Sequence, residues 1–212
     1  MYYISNRKRG IIRGIALVLS VALVIFIAVS VSIRKRIIKN LLIAAQNKFS
    51  DVCNRAYDTV TDKLNITYED IVIPAKDNNG NITSLTVNSV LVNKIKTMID
   101  SEVDDIISKN GKFGFSISIG TIIGNEFTAG RGPSINFEYN MFCAISTELE
   151  SNFTSSGINQ TKHQIILNIS SDLSTSSPFA TNQLVDNLQY LLCETVIVGD
   201  VPQSYTNINL NR

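Results

Sequence analysis

The sequence predicts a membrane-anchored α+β protein, and three observations lead to that fold class. An apolar segment lies near the amino end, an amphipathic helical pattern follows it, and most of the remaining chain alternates apolar and polar residues as β-strands do. The chain has 212 residues, which leaves room beyond an anchor for one domain of ordinary size or for two small ones, and we favour one domain. We therefore expect a single transmembrane helix, an amphipathic stalk helix, and a domain with a mainly antiparallel sheet and one further long helix.

The charges are unevenly distributed along the chain. There are 19 basic and 18 acidic residues, but residues 1–39 carry eight of the basic residues and no acidic one. Residues 40–212 therefore hold 11 basic against 18 acidic residues, a net charge of −7. A negative surface repels the phosphate backbone, so we expect no nucleic-acid partner.

The apolar segment runs from Gly14 to Ile33 and contains no charged residue. As a helix it would extend for about 30 Å, the thickness of the hydrocarbon core of a bilayer. A buried core helix is one alternative, and a cleaved signal peptide is another, although its apolar region is shorter and precedes a polar cleavage site. Here Ser30 and Ser32 lead directly into the basic residues 34–36, which predicts an uncleaved anchor behind a basic cytoplasmic tail, residues 1–13. Four basic residues lie on each side, so charge does not orient the segment.

Residues 34–64 carry apolar or small residues at intervals of three and four, which is typical of an amphipathic helix. This helix either packs onto its own domain or pairs with another helix, and its length and its alanines favour packing onto the domain, residues 65–212. The predicted apolar face consists of Ile38, Leu42, Ala45, Phe49, Val52, Ala56 and Val60.

A hairpin and a helix are predicted next. The strands are Ile66 to Ile73 and Ile82 to Asn88, with Asn79-Gly80 in the turn and Pro74 ending the first strand. Asn88 or Ser89 caps the following helix, and Gly111 ends it. Its predicted apolar face consists of Leu91, Ile95, Met98, Ile99, Val103 and Ile106.

The rest of the chain is predicted to form consecutive strands, over residues 113–119, 135–153, 163–173 and 187–200. The serine-rich residues 170–177 overlap the third of these and are interpreted as a flexible loop. There is neither regular alternation of strands with helices nor an internal repeat, which argues against a doubly wound fold or a solenoid.

The single histidine, His163, is the first candidate for chemistry. It has the same parity as Ile165, Leu167 and Ile169, so in a strand it shares their face. This favours a histidine at the edge of the core that is held by a hydrogen bond over a catalytic one. A metal site would need further histidines or closely spaced cysteines, and the cysteines are widely separated, so we expect neither metal nor cofactor. They are Cys53, Cys143 and Cys193, and a bridge between the last two is conceivable if their strands pair.

Two further segments are candidates for structural or binding roles. In the first, Gly157 can form a turn while the polar side chains after it satisfy backbone groups at a corner, or bind a partner or a glycan. In the second, the backbone amides and Arg131 could contact an anion, or the segment could be a plain connection between strands. The residues concerned are Gly157, Asn159, Gln160 and Thr161 in the first segment and Gly130, Arg131, Gly132 and Pro133 in the second.

Four strings in this sequence, "GTIIG" with "AGRGPSI", "SSGINQTKHQI" and "CETVIVGDVPQSY", resemble the YunB family of sporulation proteins. The last string adds the motif positions Glu194, Thr195, Gly199, Pro202 and Tyr205. The resemblance covers most of the chain and is densest in its second half, and the stretch "STSSPFATNQ" departs from it. It implies a membrane protein made in the mother cell during endospore formation, whose domain faces the space between the membranes around the forespore. It implies no catalytic residue.

Two functions follow as hypotheses. The first is a non-enzymatic interaction or assembly factor at the forespore envelope, with another envelope protein or peptidoglycan as its partner. The alternative is a membrane-bound enzyme that acts on peptidoglycan or another envelope substrate, in which His163 would work with a carboxylate such as Glu194 or Asp200.

Overall fold

A computed structural model of the chain describes residues 6–78, 80, 82–124, 126–157 and 159–198, with side chains from residue 13 onward. It confirms the predicted α+β class. The helices in these residues are α1 (Asn6–Leu64), α2 (Tyr68–Ile71), α3 (Ser89–Asn110) and α4 (Ile119–Ile123). The strands are β1 (Val72–Lys76), β2 (Ile82–Val87), β3 (Phe113–Ser118), β4 (Ser134–Ser155), β5 (Gln160–Ser176) and β6 (Thr181–Val198).

The predicted anchor and stalk form one uninterrupted helix, α1, of 59 residues. Its large apolar side chains from Ile15 to Val31 are 47–69% exposed, so this half of the helix has no protein packed around it in the part of the chain that is described. In length and composition it meets the requirements of a membrane span.

The second half of α1 buries one face. The buried residues confirm the predicted face from Ala45 onward, but nearer the anchor the buried positions are Ile37 and Leu41 rather than Ile38 and Leu42. The prediction was wrong there because each pair of neighbours is identical in type, so the sequence offers no contrast between them. The full buried set is Ile37, Leu41, Ala45, Phe49, Val52, Cys53, Ala56 and Val60.

Strands β1 and β2 form the predicted antiparallel hairpin, with Val72 opposite Val87 and Pro74 opposite Leu85. The predicted first strand is wrong over α2, because the Asp70 carboxylate accepts the Thr67 backbone N–H at 2.8 Å and closes a capping box that begins a short helix. Pro74 lies inside β1 instead of ending it. A two-stranded sheet has only edge strands, so a residue without an N–H is tolerated there.

Helix α3 begins and ends where the sequence predicts. The Asn88 side chain accepts a hydrogen bond from the Leu91 backbone N–H at 3.2 Å, and Gly111 ends the helix with φ 63°. The buried residues follow the predicted face except in the last turn, where Ile107 is buried and Ile106 only half-buried. They are Ile95, Ile99, Val103 and Ile107.

Asn88→Ala should lower the free energy of unfolding by about 1 kcal/mol, because it removes the side-chain acceptor at the amino end of α3. Asn93→Ala is the matched control, since Asn93 is exposed within the same helix and alanine has the higher helix propensity. Denaturant unfolding of the full chain in detergent micelles, followed by circular dichroism, measures both. Equal losses in the two variants would contradict the capping role.

The remaining strands form a four-stranded sheet in the order β3-β4-β5-β6. Strands β3 and β4 are antiparallel, with Phe113 opposite Tyr139 and Ser118 opposite Ser134. Two predictions fail in this part of the chain. The first is the strand over 113–119, which ends at Ser118, since the Ser118 side chain accepts the Thr121 N–H and begins α4.

The second is the serine-rich stretch 170–177, predicted as a loop, which continues β5 through Ser176. Ser171 and Thr175 take inward positions on either side of Leu173, and all three are buried. The Ser171 hydroxyl donates to the Asp186 carbonyl of β6 at 3.2 Å, so a buried hydroxyl finds its partner in the neighbouring strand. Composition alone misled the prediction because small hydroxyl residues also fit a strand.

The described residues divide into two compact units. The first contains residues from 1–45, 112–140 and 175–182, and the second contains residues from 46–111, 141–174 and 183–212. In the first unit Ile37, Ile117 and Ile122 form a buried cluster, against which Ile33, Phe115, Phe137 and Phe179 pack. The second unit contains the larger buried set, including Phe49, Ile71, Ile99, Ile165 and Leu167.

Candidate functional site

His163 lies on the inward face of β5, in the second unit. The burial of β5 alternates strictly, so His163 shares its face with Ile165, Leu167 and Ile169, and all four are 0% exposed. This is the orientation that the alternation predicts. The histidine is therefore part of the core and does not line an open cleft.

Both nitrogen atoms of the His163 ring contact hydroxyl groups. The Tyr68 hydroxyl lies 2.6 Å from Nδ1, and the Ser151 hydroxyl lies 2.8 Å from Nε2. A neutral imidazole donates through one nitrogen and accepts through the other, and hydroxyls can take either role, so both bonds can form at once. Phe153 stacks on the ring with centroids 4.2 Å apart and planes 6° apart, and Tyr68 meets it edge-on. The predicted hydrogen bonding of the histidine is present, through side chains of α2 and β4.

Burial lowers the pKa of His163 below its ordinary value. The folded protein thus holds the ring neutral, while the unfolded chain takes up a proton near pH 6.5. Stability should be complete above about pH 6.5 and decrease as the pH falls from there toward the lowered pKa of the folded state, because the unfolded state binds more protons in that window. Unfolding of wild type and His163→Gln at several pH values tests this. The wild type should lose more stability than the variant on acidification, and parallel pH profiles would contradict the assignment.

The turn before His163 is held by its backbone. The Ser156 N–H donates to the Gln160 carbonyl at 2.9 Å, and the Ser155 hydroxyl donates to the Gly157 carbonyl at 3.3 Å. Gly157 does not take a left-handed conformation, and an added Cβ would come no closer than 3.7 Å to other atoms. Gln160 and Thr161 are exposed and Asn159 is half-buried. The corner is thus a turn with polar side chains at its surface, and its binding role stays a prediction.

Glu194 is not brought together with His163. Its carboxylate accepts a hydrogen bond from Gln164 Nε2 at 2.6 Å and lies 3.7 Å from Lys162 Nζ. Lys162 and Gln164 have the opposite parity to His163, so Glu194 lies on the other face of the sheet. Thr195 is half-buried. Gly199, Asp200, Pro202 and Tyr205 lie outside the described residues.

The alternation of burial in β6 slips by one residue at Leu192 and Cys193, which are both half-buried. Before the slip, Tyr190 stacks on Tyr57 of α1 with centroids 4.7 Å apart, and the Tyr57 hydroxyl donates to the Leu191 carbonyl at 3.2 Å. After it, Glu194 faces Lys162 on the opposite side of the sheet. The slip is what separates Glu194 from the side of the sheet that carries the buried histidine.

The segment from Gly130 to Pro133 is a connection whose amides are largely in use. The Gly130 N–H donates to the Thr121 hydroxyl and the Arg131 N–H to the Thr128 carbonyl, each at 3.0 Å. Gly130 and Gly132 have φ values of 75° and 84°, which glycine adopts without strain. The Arg131 and Pro133 side chains are exposed. This arrangement favours the plain connection over the concave row of free amides that an anion would need.

The cysteines are free thiols. Cys143 lies in β4 and Cys193 in β6, and β5 runs between these strands. Burial raises the pKa of Cys53 to about 12 and of the other two thiols to about 11, so all three are protonated at neutral pH. Protonated thiols are poor nucleophiles. Within the described ranges, no group of three histidine, cysteine or acidic residues is placed to hold a metal ion.

Sequence reasoning missed the residues around His163. Ser151 and Phe153 share the parity of the inward residues Tyr139, Met141 and Thr147 of β4, so the alternation carried a signal for them. Tyr68 carried none, because it lies 95 residues away in a segment predicted to be a strand.

These features define a class of protein: an α+β fold on a long helix, one end of which is apolar and exposed. The family model of Sporulation protein YunB matches residues 114–204. Sporulation protein YunB of Bacillus subtilis (strain 168) is 25% identical over 158 residues, which cover 70% of this chain and 61% of that relative. The chain thus spans less than two thirds of that relative's length. Both comparisons confirm the resemblance to the YunB family and support a role in sporulation. No solved structure matches the chain.

Proposed function

We propose that this protein is a membrane-anchored, non-enzymatic factor of endospore formation that binds another component of the forespore envelope. The observation that carries the proposal is the continuity of α1. Its exposed apolar half, around Phe26, leads without a break into a half whose Phe49, Val52 and Ala56 are 0% exposed. A helix of this kind holds a folded domain at a bilayer.

In this proposal the anchor stays attached and spans the mother-cell membrane around the forespore. The domain lies on the side of that membrane away from the cytoplasm. The resemblance to the YunB family supports this orientation. Charge favours neither orientation, because the apolar segment has the same number of basic residues on each side. Residues 1–13 then form the cytoplasmic tail.

An engineered cysteine tests the orientation. The native thiols have raised pKa values and react slowly, so Ser101→Cys on the exposed surface of α3 should react first with a membrane-impermeant maleimide. The variant is expressed in vegetative cells, where the outer face of the membrane is accessible from the medium. We expect labelling of intact cells at residue 101, and none with Ser5→Cys, the control on the other side. The reverse pattern would overturn the orientation.

Binding without catalysis is supported by the state of the reactive groups. His163 is enclosed, bonded to two hydroxyls and neutral, and the three thiols are protonated. A histidine that acts as a general base is commonly oriented by a carboxylate bonded to its ring. Among the described residues, no carboxylate contacts the ring of His163, whose partners are two hydroxyl groups.

Strand β6 is the surface that we assign to the partner. It ends the sheet order, so a described strand pairs with it along one side only. Natural edge strands are usually protected by lysine or proline, yet the 18 residues Thr181–Val198 contain neither, and no arginine. Val185 is 65% exposed and Val196 48%. We propose that an extended segment of another envelope protein adds to this edge, with backbone hydrogen bonds for affinity and the valines for specificity.

Site-specific photocrosslinking in sporulating cells tests the partner surface. A benzophenone amino acid replaces Val185 in β6, and Val90 of α3, which is 81% exposed, is the matched control. We expect a discrete protein adduct from position 185 that is missing from position 90. A glycan adduct would instead identify peptidoglycan as the partner, and identical patterns at the two positions would reject β6 as the binding surface.

A further inference from the structure

Hydrogen bonds and apolar contacts join the end of the apolar segment of α1 to other elements of the first unit. Arg34 Nη2 donates to the Phe179 carbonyl at 2.6 Å, and Arg36 Nη1 donates to the Ile122 carbonyl at 3.0 Å and also to the Ile123 carbonyl. Ile33, the last residue of the segment, packs against the buried cluster that contains Ile122. Helix α4 and the turn between β5 and β6 therefore lie beside residues 33–36 of α1.

The connection that follows α4 is pressed against the same arginine. Gly124 has φ 77°, and a Cβ placed there would overlap the Arg36 guanidinium. Further along, the Thr128 hydroxyl donates to the Gly120 carbonyl at 3.1 Å, and the Gly120 N–H donates to the Arg131 carbonyl at 3.0 Å. These contacts fix α4 and the connection, residues 124 and 126–133, to each other and to α1.

Large apolar side chains on this fixed element are exposed. Phe127 is 81% exposed, Ile123 is 59% exposed and Ile119 is 38% exposed. Single exposed apolar residues are ordinary on a soluble surface. Here three of them lie on one element that is bonded to α1 just after its apolar segment. Such a cluster is more stable in an apolar environment than in water.

The depth of these residues follows from the helix. If residues 14–33 fill the hydrocarbon core, then Arg34, which binds the turn between β5 and β6, and Arg36, which binds α4, begin the headgroup layer, since each residue advances the helix by about 1.5 Å. Exposed cations accompany the apolar residues here, namely Lys35, Lys39 and Arg131, against one exposed acid in the connection, Glu126. Apolar side chains combined with cations are typical of elements that lie in the interface of a bilayer with anionic lipids.

We propose that α4 and the connection after it form a second, interfacial membrane contact, in which Ile123 and Phe127 insert at the boundary between headgroups and acyl chains. The bilayer is the occupant, because the contact continues the apolar surface of α1 and its cations complement anionic headgroups. This inference rests on the proposed membrane anchor. In this proposal the first unit contacts the bilayer through α4 and its connection as well as through α1.

The absence of tryptophan from the sequence allows a direct test. Three full-length variants, Phe127→Trp, Phe142→Trp and Phe26→Trp, each carry a single tryptophan at a phenylalanine that is exposed by 81%, 61% and 69%, respectively. They are reconstituted in vesicles of phosphatidylcholine with a minority of phosphatidylglycerol, whose acyl chains carry bromine either near the headgroup or near the chain end. Tryptophan emission reports polarity, and its loss reports contact with the bromines.

The Phe127→Trp variant should emit at shorter wavelength in vesicles than the Phe142→Trp control in β4, and bromine near the headgroup should quench it most. The Phe26→Trp variant should be quenched by bromine near the chain end, and the Phe142→Trp control by neither bromine position.

Each other outcome decides against part of the proposal. Quenching at position 26 without quenching at position 127 would overturn the interfacial contact and leave the anchor standing. An unquenched tryptophan at position 26 would overturn the anchor itself. An emission shift at position 127 that depends on the ratio of protein to lipid, without quenching, would assign the patch to a second copy of the chain and overturn the proposal.

If Phe127→Trp does not reach the circular dichroism spectrum of the wild type, Ile123→Trp takes its place, since Ile123 belongs to the same element. The same quenching by bromine near the headgroup is expected, and its absence counts against the contact equally.

Discussion

His163→Ala should lower the free energy of unfolding by about 2–3 kcal/mol. The substitution removes both hydrogen bonds of the ring, to Tyr68 and Ser151, and leaves a space against Phe153 at a position that is 0% exposed. Each lost bond costs about 1 kcal/mol, and the unfilled space adds to that. Denaturant unfolding of the full chain in detergent micelles, followed by circular dichroism, measures the loss.

Two variants control this experiment. His163→Gln keeps a donor and an acceptor, so it should retain most of the stability and most of the sporulation activity. Lys162→Ala changes the neighbouring position on the opposite face, where the side chain is partly exposed and close to Glu194, and should alter stability by less than about 1 kcal/mol. A Gln variant with wild-type stability that abolishes sporulation would show that imidazole chemistry is needed, and would favour the enzyme hypothesis.

Gly120→Ala should be at least as damaging, with an expected loss of about 3 kcal/mol in the free energy of unfolding. An added Cβ would overlap the Thr128 carbonyl oxygen and lie 2.7 Å from that of Arg131, and these are backbone atoms that cannot rotate away. The connection after α4 must therefore shift, and the bonds that hold it to Gly120 weaken. Thermal unfolding of the full chain, and proteolysis within residues 124–133, would both report the change.

Gly114→Ala is the matched control for that substitution. Gly114 lies in β3, and a Cβ there would meet its nearest neighbour, the Phe137 carbonyl oxygen, at an ordinary 3.8 Å. Alanine at an interior strand position should leave stability unchanged or raise it slightly. If both glycine variants lose the same stability, the close approach at Gly120 is not the cause.

Periodicity predicted what is local in this fold. The inward orientation of His163 follows from an alternation that β5 keeps without interruption, and the buried face of α1 from Ala45 onward follows from intervals of three and four residues. Both predictions rest on contrast between neighbouring residues. Where that contrast is missing, as at Ile37-Ile38 and at Leu192-Cys193, the sequence could not place the face or reveal the slip.

Contacts between distant segments could not be predicted. The partners of His163 come from residues 12 and 95 positions away, and only the fold brings them together. Short local signals also decided several elements against composition. The capping box at Thr67 turns a predicted strand into α2, and the Ser118 cap turns the end of another into α4. The sequence also could not identify Ile123 and Phe127 as candidates for a membrane contact, because their position beside α1 depends on the hydrogen bonds between Arg36 and α4.

The continuity of α1 sets a distance as well as an attachment. Between Arg34 and Leu64 the helix contains neither proline nor glycine, the usual causes of a kink, and its 31 residues extend for about 46 Å. One face of this stretch is buried from Ile37 to Val60, so the helix is held in register with the core along most of its length. A single inserted residue would rotate the buried positions on one side of the insertion by about 100° relative to those on the other side, and would turn part of the buried face toward solvent.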